Sequence, residues 1–314
     1  MTLYNGECHF LIVRDVRMKS ILPIAITLLF WSSSFAGIRQ GIEVYGAGHF
    51  VLLRFLSASA VFIIFACFKF IHLPKKEDIW KLAVLGVLGI TVYHVCLTFG
   101  EEVVPAGASA LIVAAVPAMT AILSYILFKE KLNVIGWSGI LVGFIGVAVI
   151  SIGTGKGVSF TGHAILILIA AVGTTLFFIY EKPFFARYSA TELTAYFTWF
   201  GTIPMLVFLP GFFHSVSHAP VSVTISAIYL GVLPSAIAYI TWSVALSHAP
   251  TSLVTSTLYI EPFLAIIIAW IWIGEVPSVV VWIGGVLTLV GVTLVNVYGR
   301  IKPAKSERIE PKAS

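Results

Sequence analysis

The tetrapeptide Leu85-Gly86-Val87-Leu88 recurs as Leu230-Gly231-Val232-Leu233, 145 positions further along the chain. The same ungapped offset relates six more identical pairs, in which Pro105, Pro117, Glu130, Trp137, Gly139 and Gly146 recur as Pro250, Pro262, Glu275, Trp282, Gly284 and Gly291. Scattered identities arise easily in an apolar chain, but a repeated tetrapeptide and two repeated prolines in one register do not. The pattern indicates an internal duplication.

The composition is typical of an integral membrane protein. Of 314 residues, 59% are hydrophobic and 11% are charged, with a mean hydropathy of +1.02, whereas soluble domains carry about 25% charged residues. A membrane-spanning helix needs about 20 mostly apolar residues. Continuously apolar runs such as 264–273 argue against the alternating strands of a β-barrel. Ten helical segments are predicted, with centres near Leu29, Ser59, Ile90, Pro117, Phe144, Val172, Thr202, Ala236, Pro262 and Thr288.

The basic residues alternate from loop to loop. All 19 Lys and Arg residues except Arg39, Arg54 and Lys156 lie in the two tails or in the even-numbered loops between predicted helices. The positive-inside rule then predicts a multi-pass protein of the plasma or inner membrane with both termini in the cytoplasm. This distribution differs from the contiguous basic surface that nucleic-acid binding needs.

The duplication and the predicted topology together imply inversion. The offset carries each helix five helices onward, and because five is odd, each repeated helix crosses the membrane in the opposite direction. Glu130 would end helix 4 at the cytoplasmic face, and its partner Glu275 would end helix 9 at the outer face. Inverted repeats allow a transporter to expose a central site alternately to either side. The predicted fold class is an all-α integral membrane protein with ten transmembrane helices in two inverted five-helix repeats.

The predicted organisation has five parts. A cytoplasmic tail (1–19) precedes the first repeat with helices 1–5 (20–152), an outer linker (153–161), the second repeat with helices 6–10 (162–298) and a basic cytoplasmic tail (299–314). Met18-Lys19 would make an ordinary start, so residues 1–17 could be an upstream extension. Helix 1 follows basic residues, as a signal peptide does, but the absence of a small-residue cleavage pattern predicts that it is retained.

Several motifs resemble the EamA family of the drug/metabolite transporter superfamily over about residues 20–298. They are Trp31-Ser32-Ser33-Ser34-Phe35, Arg54, the small-residue run 106–110, Pro117 followed by Glu130, and Glu261-Pro262 followed by Glu275. The resemblance implies a ten-helix secondary transporter, in a family of which many members export amino acids or other metabolites. It does not indicate the substrate.

Glu261 is the first candidate for a binding or coupling site. It lies at the predicted middle of helix 9, where an ionised carboxylate costs at least about 2.5 kcal/mol and is rarely left facing lipid. Pro262 cannot donate to the carbonyl one turn back, so the helix is weakened there. A proton site or an amine-binding site could be built from this combination. The alternative is a packing role, since the repeat partner of Glu261 is Val116.

His94 is the predicted companion of Glu261. Its position beyond the midpoint of helix 3 places the two residues within roughly 6 Å of each other in depth, where an imidazole and a carboxylate could share a proton. A hydrogen-bonded packing histidine is the alternative interpretation. Further polar and aromatic lining, or else interface packing, is expected from Tyr93, Thr98, Tyr239 and Trp242.

Arg54 and Arg39 are predicted near the outer ends of helices 2 and 1, within reach of outer water. With Glu101 and Glu102 as partners, they would form an outer gate or a structural bridge rather than a substrate site. The family resemblance implies a second set of binding candidates in helix 1, which offers hydroxyls and aromatic surface to an amphiphilic ligand through Trp31, Ser32, Ser34 and Phe35.

Helices 5 and 10 carry small residues on one face. Gly139, Gly143 and Gly146 fall at i, i+4 and i+7, and their partners are Gly284, Thr288 and Gly291. Small residues at this spacing let helix backbones approach closely. We expect helix packing here, either within one chain or across a homodimer.

The predicted function is a secondary-active exporter of small metabolites, such as amino acids or related amphiphilic compounds, with alternating access around a mid-membrane cavity. An uptake permease or facilitator is the alternative. A membrane enzyme would need clustered acid, base or metal ligands, and Glu101-Glu102 and the scattered histidines are too dispersed to supply them. The expected partners are a small-molecule substrate and the lipid bilayer. No cofactor, metal or nucleic acid is expected, while proton coupling and the choice between monomer and homodimer stay open.

Overall fold

The computed structural model describes residues 4–68, 71–104, 109, 112–128, 132–153, 162–273 and 278–299. Within these ranges it describes all side chains except those of residues 4–19, 35, 36, 39, 40, 128, 150–153, 266, 269, 270, 272, 273, 281 and 296. The predicted helix ends at Glu130 and Glu275, most of the linker and nearly all of the C-terminal tail lie outside the described residues.

Ten long helices follow one another through the described residues. The first element, Tyr4–Cys67, is two helices merged across Gly46, whose φ of 69° and ψ of 159° favour glycine, so that α1 covers 4–45 and α2 covers 47–67. The others are α3 (Ile79–Glu101), α4 (Ala115–Phe128), α5 (Val134–Gly153), α6 (Gly162–Tyr180), α7 (Ala190–Met205), α8 (Val221–His248), α9 (251–273) and α10 (279–298).

The predicted helical membrane fold is confirmed. Each of the ten predicted centres lies within one of the ten helices. The helical stretches Gly41–Cys67, Ile79–Glu101, Gly162–Ala186 and Val221–His248 are each long and apolar enough to cross a membrane alone. Shorter apolar segments lie in α1, α4, α5 and α10, and α7 continues into a sharp bend.

A short helix replaces part of a predicted outer loop after α7. The chain turns at Pro210-Gly211, where Gly211 has a φ of 77°, and forms Phe212–His218 at 88° to α7. His49 fastens this helix to α2, because one ring nitrogen lies 3.0 Å from the Pro210 carbonyl and the other 2.8 Å from the Ser215 hydroxyl. A run of seven residues is too short to show helical periodicity, so the sequence gives no signal of this helix.

The two repeats exchange their third helices. The helix α3 of the first repeat packs mainly on α6 and α7 of the second, whereas α8 of the second packs mainly on α1 and α2 of the first. We call α1, α2 and α8 the first helix set and α3, α6 and α7 the second helix set. Each set therefore contains helices from both halves of the duplication.

The glycines of the repeated tetrapeptide lie where each exchanged helix contacts a helix of the other repeat. A Cβ atom added to Gly86 in α3 would lie 2.7 Å from the Phe197 carbonyl oxygen of α7, and one added to Gly231 in α8 would collide with the Arg54 carbonyl oxygen of α2. Only glycine lets the two backbones approach so closely. The duplicated residues thus make duplicated contacts, in which Phe197 and Arg54 occupy equivalent positions.

A π-helical turn follows each of these glycines. Val87–Val92 in α3 and Leu233–Ile237 in α8 are π-helical, and their last five residues are related by the repeat offset. In α8 the proline at position 234 lacks an N–H donor, which favours a change in hydrogen-bond register. The two turns widen both exchanged helices at their middle, just before His94 and Tyr239.

The helices α5 and α10 pack face to face within one chain. A Cβ atom on Gly139 would lie 2.8 Å from the Gly291 carbonyl oxygen, and one on Gly146 would lie 2.6 Å from the Thr288 backbone nitrogen. The small-residue faces predicted from the sequence therefore meet each other, and within-chain packing accounts for them. This pair lies apart from the two helix sets that surround the central cavity.

A polar network joins the loop between α2 and α3 to the loop between α6 and α7. We call this end of the molecule the basic face. Asp78, which directly precedes α3, is 1% exposed and accepts hydrogen bonds from the Arg187 guanidinium at 3.0 and 3.1 Å and from the Tyr188 hydroxyl at 2.8 Å. Burial alone would raise the pKa of Asp78, but the hydrogen bonds from Tyr188 and Arg187 outweigh it, so that the pKa lies below its usual range.

Gly291→Ala is expected to destabilise the protein by about 1–3 kcal/mol, because the new methyl group collides with the backbone of Gly143 and Gly139 across the α5–α10 contact. Thermal unfolding in detergent micelles should show a lower Tm. Gly162→Ala is the matched control, since a Cβ there meets no atom within 4 Å. Equal Tm values for the two variants would contradict the close packing of α5 and α10.

Asp78→Asn is expected to lower the Tm at neutral pH but not in strong acid. Because the folded protein lowers the pKa of Asp78, its carboxylate stabilises the fold above the unfolded pKa of about 3.9, and this stabilisation disappears as pH falls through the folded pKa. Unfolding curves across this range should show the variant converging on the wild type. Glu77→Gln is the control, since Glu77 is 68% exposed; a gap that persisted unchanged in acid would disprove the ionic origin.

Candidate functional site

A central cavity lies between the two helix sets and α9. It holds about 540 Å³ of empty space, including its opening. Its polar wall contains one basic and one acidic side chain, two phenols and an imidazole. The lining residues come from α1 (Trp31, Ser34, Ile38), α2 (Arg54), α3 (Tyr93, His94, Leu97), the segment before α4 (Val113), α4 itself (Val116), α6 (Thr174, Phe178), α8 (Tyr239) and α9 (Leu258, Glu261).

A break in α9 presents Glu261 to this cavity. Pro262 has no N–H with which to bond the Leu258 carbonyl, so that carbonyl accepts from the Glu261 N–H instead, and residues 257–260 tighten into a 3-10 turn. Upstream, the Thr257 hydroxyl donates to the Val254 carbonyl at 2.6 Å, which also loosens the α-helical pattern. The Ser32 hydroxyl donates to the Glu261 carbonyl at 3.2 Å and connects α9 to α1.

Arg54 lines the same cavity. Its side chain is 3% exposed, and its Nε donates to the Ser235 hydroxyl of α8 at 2.6 Å. The expectation that Arg54 reaches outer water was wrong, because the close contact at Gly231 draws α2 against the π-helical turn of α8 and turns the guanidinium inward. Glu101 lies within electrostatic range of Arg54. Within the described residues no ion pair joins Arg54 to Glu261.

His94 and Tyr239 make a hydrogen bond of 2.8 Å between α3 and α8. The two residues are 145 positions apart, so each is the repeat partner of the other. A contact between two symmetry-related residues maps onto itself and must lie on the pseudo-two-fold axis. The imidazole also packs against Phe55 and Tyr93, with ring centroids 4.5 and 4.7 Å away. It therefore bonds a phenol on the axis and not, as the sequence had suggested, the Glu261 carboxyl.

Aromatic rings form the apolar wall of the cavity. The Trp31 ring lies 5.1 Å from both Tyr239 and Trp242, and its Nε1 donates to the Pro234 carbonyl at 3.0 Å. Trp242 lies behind the wall and packs on Phe178 at 5.0 Å. Since the Pro234 carbonyl belongs to the π-helical turn, the backbone distortion of α8 also positions the aromatic wall.

The structure brings six of the candidate binding residues to the cavity surface, namely Glu261, His94, Tyr93, Tyr239, Trp31 and Ser34. Four others are buried behind it, namely Pro262, Ser32, Thr98 and Trp242. Glu101 is buried in α3, and a Glu102 carboxylate oxygen accepts from the Ala47 backbone N–H at 3.4 Å. The side chains of Phe35 and Arg39 lie outside the described residues.

Sequence reasoning missed several residues around the cavity. Thr174 and Phe178 line it from α6, and Ser235 holds Arg54 in place. Glu181 is fully buried where α6 ends. The repeat register could have pointed to Ser235, which belongs to the turn equivalent to residues 88–92. Glu181 gives no comparable signal, because it precedes Lys182 and Arg187 and resembles a solvated loop carboxylate.

A known family and several known proteins match most of this chain. The model of the "EamA-like transporter family" matches the chain twice, at residues 18–152 and 162–297. "Uncharacterized transporter YdfC" of Bacillus subtilis is 35% identical over 280 residues, which cover 89% of this chain and 92% of that protein. A "Probable terminal-alkyne amino-acid exporter" of Streptantibioticus cattleyicolor is 34% identical over 278 residues, covering 88% and 93%.

A solved crystal structure has the same fold. It superposes with a TM-score of 0.72 at 21% identity and covers 87% of this chain and 97% of the other. The two matches to one family model confirm the two repeats deduced from the tetrapeptide, and the relatives that match over most of their length are named as transporters. The chain belongs to the EamA-like transporter family.

Proposed function

We propose that this protein exports small zwitterionic amino acids with apolar side chains by alternating access. The observation that carries the proposal is the presence of one guanidinium, on Arg54, and one carboxyl, on Glu261, in the wall of the same cavity. The two groups make no ion pair with each other. Both charges are therefore available to a ligand that carries a carboxylate and an ammonium group.

The chemistry of the two groups fits the two ends of an amino acid. A guanidinium binds a carboxylate through parallel hydrogen bonds, and Arg54 uses its Nε on Ser235 while its terminal nitrogens extend beyond that contact. A carboxylate at Glu261 is complementary to an ammonium group. A zwitterion neutralises both charges at once, whereas an amine or an acid leaves one buried charge unpaired, which is costly.

The remaining wall suits an apolar side chain. Trp31, Phe178 and Leu97 contribute aromatic and aliphatic surface to the cavity, as small-ligand sites usually offer. The relative named as a probable terminal-alkyne amino-acid exporter supports both the substrate class and the direction. An uptake permease would use the same cavity, so sidedness must be measured in the transport assay.

The exchanged helices supply a means of alternating access. If the first and second helix sets exchange their conformations, every contact between them moves to its repeat-equivalent position, and the inverted repeats open the opposite face. The bond between His94 and Tyr239 maps onto itself and persists in both states. The π-helical turns that adjoin it provide adjustable helix geometry at this pivot.

Glu261 also offers a route to proton coupling. When the ammonium group leaves, the carboxylate loses its partner and takes up a proton from water on the open side. An exchange of one proton for one amino acid would follow, with the proton moving opposite to the substrate. No further cofactor is needed for this cycle.

Competition assays in proteoliposomes test the two charge assignments separately. Wild-type transport of an apolar amino acid should be inhibited best by the zwitterion, and at least about tenfold less well by the corresponding amine or acid. Arg54→Gln should make the zwitterion and the amine equal competitors, since the carboxylate of the zwitterion is then no longer recognised. Glu261→Gln should make the zwitterion and the acid equal competitors.

Glu77→Gln removes an exposed carboxylate at the basic face and serves as the control, which should keep the wild-type order of competitors. If both cavity variants kept that order, amino-acid recognition by Arg54 and Glu261 would be disproved. Inside-out and right-side-out vesicles separate export from uptake in the same experiment.

An imposed pH gradient tests the coupling role of Glu261. In vesicles loaded with the amino acid, wild-type efflux should accelerate when the solution that receives the amino acid is acidic, because the entering proton replaces the departing ammonium group. Glu261→Gln cannot exchange a proton, so its residual flux should be equal with and without the gradient. Equal flux for wild type and variant under both conditions would eliminate this role.

A further inference from the structure

Glu181 is a buried carboxyl that the proposed transport cycle does not yet use. It directly follows α6 at the basic face, and its side chain is fully buried. One carboxyl oxygen accepts from the Ser243 hydroxyl at 3.4 Å, and the other has no hydrogen-bond partner among the described residues. An ionised carboxylate in this setting is costly, so the conformation favours the protonated acid.

The contact between Glu181 and Ser243 crosses the interface between the two helix sets. Glu181 belongs to the second set and Ser243, on α8, to the first; the Thr194 hydroxyl of α7 donates to Ser243 at 3.3 Å and extends the connection. Ser243 lies one helical turn beyond Tyr239, which lines the cavity. The contact therefore lies between the cavity and the basic face.

The groups that face Glu181 include no described carboxylate that could share its proton. The α8 side presents Ser243 and, within electrostatic range, the phenol of Tyr239, and the α7 side presents Thr194. The ammonium group of the adjoining Lys182 donates a hydrogen bond to the Ala249 carbonyl at 3.1 Å. Water at the basic face is then the proton donor and acceptor available to Glu181 once this contact opens.

The repeat-equivalent positions of Glu181 and Ser243 carry no carboxyl. The offset of 145 relates Ser243 to Thr98, and the two family matches, which begin at residues 18 and 162, place the counterpart of Glu181 near Gly37. No acidic residue occurs within 36–38. The carboxyl of Glu181 is therefore specific to one half of the duplication.

We propose that Glu181 is a proton-binding gate residue, which must hold a proton for the helix sets to close at the basic face and releases that proton to water when this face opens. The proposal rests on the proposed alternating-access function. In the closed state the carboxyl is neutral and buried against Ser243. In the open state it is hydrated and ionised, so acid on the basic face favours closure and alkali favours opening.

Infrared spectroscopy of purified protein tests the proton site without any substrate. Glu261→Gln is used as the parent, so that the cavity carboxyl does not contribute. At about pH 6, the carbonyl band of protonated carboxyl groups in this parent should contain a component that is absent from the double variant Glu261→Gln/Glu181→Gln. This component should disappear as the buffer pH is raised to about 9. Identical spectra for parent and double variant, or a Glu181 band that never titrates, would overturn the proposal.

Transport assays test the gate. With the pH varied only on the basic face, the residual flux of the Glu261→Gln parent, whose cavity carboxyl cannot titrate, should change by at least about tenfold across the titration of Glu181. Adding Glu181→Gln to this parent should reduce the response to less than about twofold, whereas adding Glu181→Asp should retain the response with a shifted midpoint. Adding Glu77→Gln is the exposed control and should leave the response of the parent unchanged.

The outcomes separate this inference from the proposed function. If no amino acid is transported but the infrared component titrates, the substrate assignment fails and the proton site stands. If amino acids are transported but Glu181→Gln keeps the full response to pH on the basic face, the gate fails and the substrate assignment stands. If Glu181→Gln and Glu181→Asp both lose transport activity but keep the wild-type Tm, the gate is also contradicted, because the shorter carboxyl of aspartate should preserve it.

Discussion

The close approach of α3 to α7 at Gly86, and of α8 to α2 at Gly231, is the constraint on which the architecture depends. Each glycine admits a neighbouring backbone carbonyl where a Cβ would not fit. These two contacts fix the exchange of the third helices between repeats. They also bring His94 and Tyr239 together on the pseudo-two-fold axis and draw α2 against the π-helical turn of α8. The cavity exists because the exchanged helices cross at this point.

Positions that match between the two repeats and positions that differ have different roles. Positions that are conserved between the halves, such as Gly86 and Gly231, determine packing and movement. The two charged groups of the cavity lie at positions where the halves differ, since Arg54 makes the glycine contact that Phe197 makes in the other half, and Glu261 is the repeat partner of Val116. A symmetric cavity would carry charges in equivalent pairs. The unequal positions instead create one cationic end and one acidic end, which suits a ligand with opposite charges at its own ends.

The sequence predicted more of the fold than of the site, for physical reasons. Long apolar segments and a repeat register are local or periodic signals, so the ten helices and the duplication were accessible. Glu261 was also accessible, because a carboxyl in an apolar helix has few explanations. Arg54 was misplaced because its depth was judged from helix ends, whereas its direction depends on the contact at Gly231. Glu181 was missed because burial at a helix end is decided by α7 and α8, which lie far along the chain.

Glu181 is a third position at which the two halves differ, and under the proposed gate this difference affects the direction of the transport cycle. Two inverted halves with equal contacts at both faces would have no intrinsic preference for either open state. Glu181 lies at the basic face, whereas its equivalent positions 36–38 carry no acidic residue, so the two halves are chemically unequal at this point. With the proposed gate, the free energy of closing the basic face depends on the proton concentration there. A proton gradient could thus bias the conformational equilibrium itself, apart from any exchange at Glu261.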